Sequence, residues 1–169
     1  MLAACAGAGP ADPPVLPADA LPGRAEAART LEAADLSAAE ADPAEALGVL
    51  DDAGFAGAVE RNWTQPERRR RAEVRLIAFG GADGAERYLA WLRAHVGEPS
   101  GTASPGTALA TPAGAAVAVR EPSGCCPKEG RTLFVTWREG SIVVVLAVSG
   151  PRVRLRDAAE LAPLLARAV

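Results

Sequence analysis

The sequence of 169 residues contains very little lysine, asparagine and isoleucine. Lysine occurs once, at Lys128, asparagine once, at Asn62, and isoleucine only at Ile77 and Ile142. This imbalance is typical of the codon bias of a high-GC genome. The individual arginines are therefore no evidence of selection for the bidentate recognition that distinguishes arginine from lysine.

Long apolar runs and a strong charge of either sign are also missing. No run reaches the roughly 18 apolar residues that a transmembrane helix needs. As written, the chain has neither the basic start nor the apolar stretch of a signal peptide. The net charge of −3 and the isoelectric point near 5.3 give no basic field of the kind that attracts nucleic acid. We expect no nucleic-acid partner.

Motifs for catalysis and cofactor binding are absent from the sequence as well. It contains no glycine-rich phosphate loop, no EF-hand loop and no Gly-x-Ser-x-Gly elbow. The only histidine, His95, lies near the end of a predicted helix, where the helix dipole favours a cation, and needs no catalytic role. We therefore expect no cofactor and no metal, assign no catalytic residue, and favour a function that is not enzymatic.

The residues that are present suffice for one globular domain. The hydrophobic fraction of 49% and the charged fraction of 23% are ordinary for a folded protein. Glycine and proline are concentrated in residues 7–23 and 97–114, which predicts two loop regions rather than a disordered chain. We predict a flexible tether over residues 1–23 and a single domain over residues 24–169.

The N-terminal residues Leu2-Ala3-Ala4-Cys5 resemble the lipobox of bacterial lipoproteins, in which small residues precede a cysteine that takes a diacylglyceryl group. The resemblance implies that Cys5 is lipidated and anchors the protein to the outer face of a cell membrane. Met1 would then stand where the rest of a signal peptide belongs. If the alanine-rich composition produced the motif by chance, Cys5 is an idle residue of a frayed terminus and the domain is cytoplasmic.

Sequence patterns predict two helices and two strands in the first part of the domain, after a segment over residues 24–39 that is either a further short helix or loosely ordered. One helix begins at Asp42 as N-cap and stops at Gly54. Residues 58–64 and 72–79 are predicted strands, and the alternation of the second leaves one face of this hairpin to water. The helix predicted over residues 83–96 has a capping-box start and an apolar stripe.

The last part of the chain predicts three more strands and a helix. The strands cover residues 115–120, 131–138 and 141–148, and Glu139-Gly140 is the expected hairpin connection. The last strand is continuously apolar, which places it in the centre of the sheet with cover on both faces. The helix is expected over residues 157–169.

The predicted order is α-β-β-α-β-β-β-α, an α+β fold with an antiparallel sheet of about five strands and helices mainly on one face. The pattern resembles small secreted lipoproteins of the actinobacterial type and, more loosely, the PsbP/Mog1-type α+β sheet. Gly54-Phe55, the Trp63 strand, Asp83-Gly84-Ala85 and the final hairpin carry this resemblance. It implies a fold and no mechanism.

The most unusual local feature is Gly124-Cys125-Cys126-Pro127. Three functional interpretations are open, a vicinal disulfide, a soft-metal site and a redox-active pair. A disulfide between neighbours is strained because their Cα atoms lie about 3.8 Å apart. A metal would need further ligands, and a redox site lacks the helix N-terminus that lowers a thiol pKa. Alternatively, both cysteines are structural and pair with each other because lipid consumes Cys5.

A basic run, Arg68-Arg69-Arg70-Arg71, leads into the second predicted strand. It can contact anionic lipid head groups or an acidic partner. The ordinary alternative is a solvated loop and strand edge, where charge discourages edge-to-edge pairing. Glu67 and Glu73 flank the run and partly cancel its field.

Two functions follow as hypotheses. The first is a lipid-anchored envelope protein that is not an enzyme and binds a protein partner or a small ligand, with an apolar groove near residues 98–130. The second is a thiol-dependent redox or metal-handling protein that uses Cys125 and Cys126, which titration of free thiols with and without reductant would test.

Overall fold

The computed structural model describes residues 14–95, 107–108, 115–120 and 130–169. Within these residues the chain forms four α-helices and eight strands. The helices are α1 (Ala33–Ser37), α2 (Pro43–Asp52), α3 (Ala82–His95) and α4 (Leu155–Ala166). The strands are β1 (Arg24–Ala25), β2 (Arg29–Leu31), β3 (Phe55–Gln65), β4 (Arg70–Phe79), β5 (Thr107–Ala108), β6 (Ala116–Arg120), β7 (Arg131–Glu139) and β8 (Ile142–Gly150).

All the strands join one antiparallel sheet in the order β1-β3-β4-β8-β7-β6-β5. The short β2 pairs with β3 on the edge that β1 also uses. The continuously apolar strand β8 lies between β4 and β7, so its predicted central position is confirmed.

The predicted α+β class is confirmed. The longer elements, α2, β3, β4, α3, β6, β7, β8 and α4, follow the predicted order. The structure adds β1, β2 and β5, which raises the strand number above the predicted five, and forms the short helix α1 within residues 24–39, where a short helix was one of the two alternatives. These four elements have two to five residues each, too few for a hydrophobic period to become visible in the sequence.

Local chemistry explains where the elements begin and end. The Asp42 carboxylate accepts the N–H groups of Ala44 and Glu45 at 3.1 and 3.0 Å, so the predicted N-cap of α2 is confirmed. The β7–β8 turn consists of Gly140 and Ser141. The prediction of Glu139-Gly140 was wrong by one residue, because Glu139 still pairs with Ile142 across the ladder.

Two hydrophobic clusters cover the two faces of the sheet. On the first face, called the α3 face, helices α1, α2 and α3 pack over side chains that include Ile77, Phe79 and Val143. On the second, called the α4 face, helix α4 packs over side chains that include Leu76 and Leu146. Three of the four helices therefore share one face, and α4 supplies the cover on the other.

The N-terminal segment packs on the α4 face ahead of β1. Leu16 and Leu21 are buried in that cluster, and the indole N–H of Trp63 donates to the carbonyl of Ala18 at 2.8 Å. The side-chain amide of Gln65 donates to the carbonyl of Pro22. The packed unit thus begins at or before Leu16, ahead of the boundary at residue 24 that composition suggested.

Candidate functional site

A cleft opens on the α3 face where helix α3 leaves the sheet uncovered. Its volume is about 320 Å³, and strands β4, β8 and β7 form its floor. Leu92 near the end of α3 forms one wall, and Ala39 and Glu40, in the turns after α1, form the other. This sheet surface is a cleft rather than a flat face because helix α3 borders it on one side and the turns after α1 border it on the other.

The floor is a regular grid set by strand register. Ser149 lies opposite both Arg71 and Thr132, and Ala147 lies opposite both Glu73 and Phe134. Val145 likewise faces Arg75 on the neighbouring strand β4. Side chains of residues directly opposite share a face and stand about 5 Å apart. An apolar strip of Val145, Ala147 and Phe134 therefore lies beside a row of charged residues on β4.

The charged row continues into an ion-pair network on β3. The Glu60 carboxylate is buried between two guanidinium groups, with its oxygens 3.1 Å from Arg29 and 2.9 Å from Arg75. Arg75 also pairs with Glu73 at 2.7 Å. Burial alone lowers the pKa of Arg75, but the carboxylates of Glu73 and Glu60 outweigh it, so its pKa is raised above the ordinary value. Arg75 is therefore a fixed cation at the edge of the cleft.

Helix α3 is held over its part of the sheet by contacts at its C-terminal half. The guanidinium of Arg93 donates to the hydroxyl of Thr136 at 3.3 Å and to its carbonyl at 3.0 Å. An aromatic series runs from Phe79 through Tyr88 and Trp91 to His95, with ring centroids 4.7–5.8 Å apart. These contacts fix the wall that carries Leu92.

Tyr88 is the buried titratable group behind this wall. Desolvation raises the pKa of its hydroxyl, the nearby Glu40 carboxylate raises it further, and Arg75 opposes both effects. The phenol is therefore neutral throughout the physiological range.

The structure separates the four arginines of the basic run. Residues 66–68 form a single 3₁₀ turn, Arg69 has a left-handed backbone with φ of 50°, and β4 begins at Arg70. Because side chains alternate along a strand, Arg70 points to the α4 face and Arg71 to the cleft. Arg68 and Arg70 are brought together, whereas Arg71 joins a different site.

The structure describes all three tryptophans and the single histidine. Trp63 and Trp137 are fully buried core residues, and Trp91 is half-buried. The Nδ1 atom of His95 contacts the carbonyl of Trp91 at 2.8 Å, a geometry in which the ring N–H donates.

Cys5, Cys125 and Cys126 lie outside the described residues, as does most of the groove predicted near residues 98–130. The lipidation of Cys5 and the three interpretations of the Cys125/Cys126 pair stay predictions. In the described ranges, no group of three or more His, Cys, Asp or Glu side chains is placed to hold a metal ion. Nor does any helix there have the length and apolarity needed to span a bilayer.

Comparison with known proteins informs the fold. No protein-family model and no curated protein matches this sequence. Among solved structures, the chain is similar to the extracellular domain of PknH from Mycobacterium tuberculosis, with a TM-score of 0.61. The alignment covers 86% of this chain and 84% of that chain at 9% sequence identity.

The two domains share a fold. An identity of 9% carries nothing further about activity, ligands or partners. The resemblance to secreted lipoproteins and to the PsbP/Mog1-type sheet stays a prediction.

Sequence reasoning missed the cleft residues Thr132, Phe134 and Ser149. A usable signal existed at Glu73 and Arg75, whose alternation with apolar residues predicted a face open to water. The sequence could not show which strands lie beside β4, and only that order places Ser149 between Arg71 on one side and Thr132 on the other.

Proposed function

We propose that this protein is an extracytoplasmic binding domain, tethered to a membrane through lipidated Cys5, that holds a small amphiphilic molecule in the cleft of the α3 face. The proposal includes no chemical step. The observation that carries it is the floor of the cleft, where an apolar strip lies beside a row of fixed charges.

The cleft floor matches the two ends of an amphiphile. Phe134 is half-buried and offers apolar surface to a ring or alkyl group, together with the small exposed parts of Val145 and Ala147, which are 8% and 9% exposed. Removing such surface from water contributes about 25 cal/mol per Å². Arg71, Ser149 and Thr132 offer donors for a polar or anionic head. A volume of 320 Å³ is within the usual range for small-ligand sites.

Two features support the extracytoplasmic location. Leu2-Ala3-Ala4-Cys5 resembles a lipobox, and the fold is shared with a domain that works outside the cell. A small molecule is favoured over a protein partner because the polar and apolar groups converge in a concave site rather than on a flat patch.

The binding site can be tested with anilinonaphthalene sulfonate, an amphiphile with an apolar ring system and one anionic group. We expect native protein to bind it with a rise in fluorescence, and Ala147→Phe, which fills the floor, to weaken binding about tenfold. Ala159→Phe is the matched control, because Ala159 is exposed on α4 at the other face. Equal binding by both variants, with native circular dichroism, contradicts the assignment of the site.

The tether is tested separately in an actinobacterial host that expresses the gene with its native upstream sequence. We expect the protein in the membrane fraction, labelled by an alkyne fatty acid and accessible to protease added to whole cells. Cys5→Ser should abolish the label and release the protein from the membrane. Unlabelled, protease-protected protein in the cytoplasm would contradict the proposed location.

A further inference from the structure

A second cavity of about 460 Å³ lies on the α4 face, away from the cleft. It is bordered by the β3–β4 turn, the β8–α4 connection and the first two turns of α4. Its charged lining side chains are Arg68, Arg70, Arg152, Arg156, Asp157 and Glu160, here called the arginine pocket. Four guanidinium groups face two carboxylates, so the formal charge of the pocket is positive by two.

Both carboxylates already have arginine partners. Asp157 accepts from Arg70 at 2.8 Å, and Glu160 accepts from Arg68 at 2.7 and 2.8 Å. The Oε2 atom of Glu160 also lies 3.5 Å from the Nη1 atom of Arg70. Arg152 and Arg156 are exposed, and neither has a carboxylate partner in the part of the chain that the structure describes. The excess positive charge of the pocket is therefore theirs.

Arg70 is the buried arginine of the pocket, and one of its nitrogens lacks a hydrogen-bond partner among the described residues. Its side chain is only 2% exposed, its Nε donates to Gln65, and its Nη1 donates to Asp157. The remaining nitrogen, Nη2, is buried and has no hydrogen-bond partner among the described residues. A buried donor without an acceptor is costly, and such groups in folded proteins usually meet water or a ligand.

The position of the pocket also favours an anion. Helix α4 has 12 residues, and Arg156 and Asp157 belong to its first turn. The N-terminus of a helix carries partial positive charge, which adds to the field of the unpaired arginines.

We infer that the arginine pocket binds a phosphoryl dianion, either free or as part of a lipid head group. Arg152 and Arg156 supply the charge that the dianion neutralises, and Arg70, which has one nitrogen without a hydrogen-bond partner among the described residues, lines the same pocket. Arginine is suited to this role because its planar fork matches phosphate oxygens. The inference is independent of the proposed function, since the pocket and the cleft lie on opposite faces of the sheet.

The test is calorimetric titration of the full chain with inorganic phosphate at low ionic strength. We expect binding by the native protein and about tenfold weaker binding by the double variant Arg152→Gln/Arg156→Gln, because two charge-assisted contacts are lost. The matched control is Arg69→Gln/Arg167→Gln, which removes the same charge at exposed positions outside the pocket and should bind like native protein. Neither double variant removes a buried group, so both should keep the native unfolding transition.

A second arm separates the two sources of the phosphoryl group. Vesicles of phosphatidylcholine with and without phosphatidic acid, whose phosphomonoester head group can carry two negative charges, are sedimented with each variant. Phosphate binding that only Arg152→Gln/Arg156→Gln loses supports a free ligand. Selective loss of binding to the anionic vesicles, without phosphate binding, supports a lipid head group. Equal behaviour of the two double variants in both arms overturns the inference, as does an absence of binding by native protein in both.

Discussion

Gly84 shows at the scale of one residue how α2 and α3 are fitted together. A Cβ atom at this position would lie 2.0 Å from the carbonyl oxygen of Ala53, at the end of α2. We expect Gly84→Ala to lower the free energy of unfolding by roughly 1–3 kcal/mol, because one of the two helices must shift.

Gly48 provides the control for this prediction, because it is also helical but has nothing within 4 Å of the added Cβ. Gly48→Ala should raise the free energy of unfolding by about 0.5–1 kcal/mol, as alanine is the better helix former. Urea denaturation measures both variants. A destabilisation of equal size in both would show that the α2–α3 approach is not the cause.

Tyr88 gives a prediction on pH at the same scale. Its pKa in the folded protein is raised above the ordinary tyrosine value of about 10, so the folded state resists ionisation that the unfolded state allows. This contribution to stability is fully present below pH 10 and is lost as the pH rises further, by about 1.4 kcal/mol for each pH unit.

Tyr88 is the only tyrosine, so tyrosinate absorbance reports its ionisation directly. Native protein should show no tyrosinate until it unfolds, and Tyr88→Phe should have a shallower loss of stability above pH 10 than native protein. Ionisation near pH 10 with an unchanged circular dichroism spectrum would be inconsistent with a buried, desolvated phenol.

At the scale of the element, α4 is the helix that packs on the α4 face of the sheet. Leu161 is fully buried there, whereas Leu164 on the same helix is 37% exposed. We expect Leu161→Ala to cost about 2–5 kcal/mol of unfolding free energy and Leu164→Ala about 1 kcal/mol or less. Thermal unfolding monitored by circular dichroism compares them. Similar small losses in both would mean that α4 is not docked as the structure has it.

The longer elements could be predicted from sequence because their signals are local. Asp42 caps α2, and the alternation in β4 reports its two faces, and each signal lies within the element itself. The short strands β1 and β2 have no period of their own. They exist because the edge of β3 offers unpaired backbone groups, which a sequence pattern does not reveal.

At the scale of the whole molecule, the basic run of residues 68–71 shows that neighbours in the sequence can belong to different sites. Residues 68–71 looked like one patch, but the alternation of β4 sends Arg70 and Arg71 to opposite faces. The partners that complete each site, Arg152 and Arg156 on one face and Ser149 on the other, are distant in sequence. Strand order and helix docking bring these residues together, and the spacing of residues along the sequence predicts neither of them.

The two proposals together place one candidate site on each face of the sheet, the cleft on the α3 face and the arginine pocket on the α4 face. Helices pack over the apolar core of each face. Ala147→Phe should therefore weaken binding of the amphiphile without changing phosphate binding, and Arg152→Gln/Arg156→Gln should do the reverse.

The proposed ligand site is the cleft on the α3 face. Amide NMR spectra of ¹⁵N-labelled protein, titrated with anilinonaphthalene sulfonate, test this proposal most directly. We predict that saturable shifts concentrate on β8 around Ala147 and on β7 around Phe134, and that Ala147→Phe abolishes them. Shifts that are confined to the α4 face, or that persist unchanged in Ala147→Phe, would contradict the account.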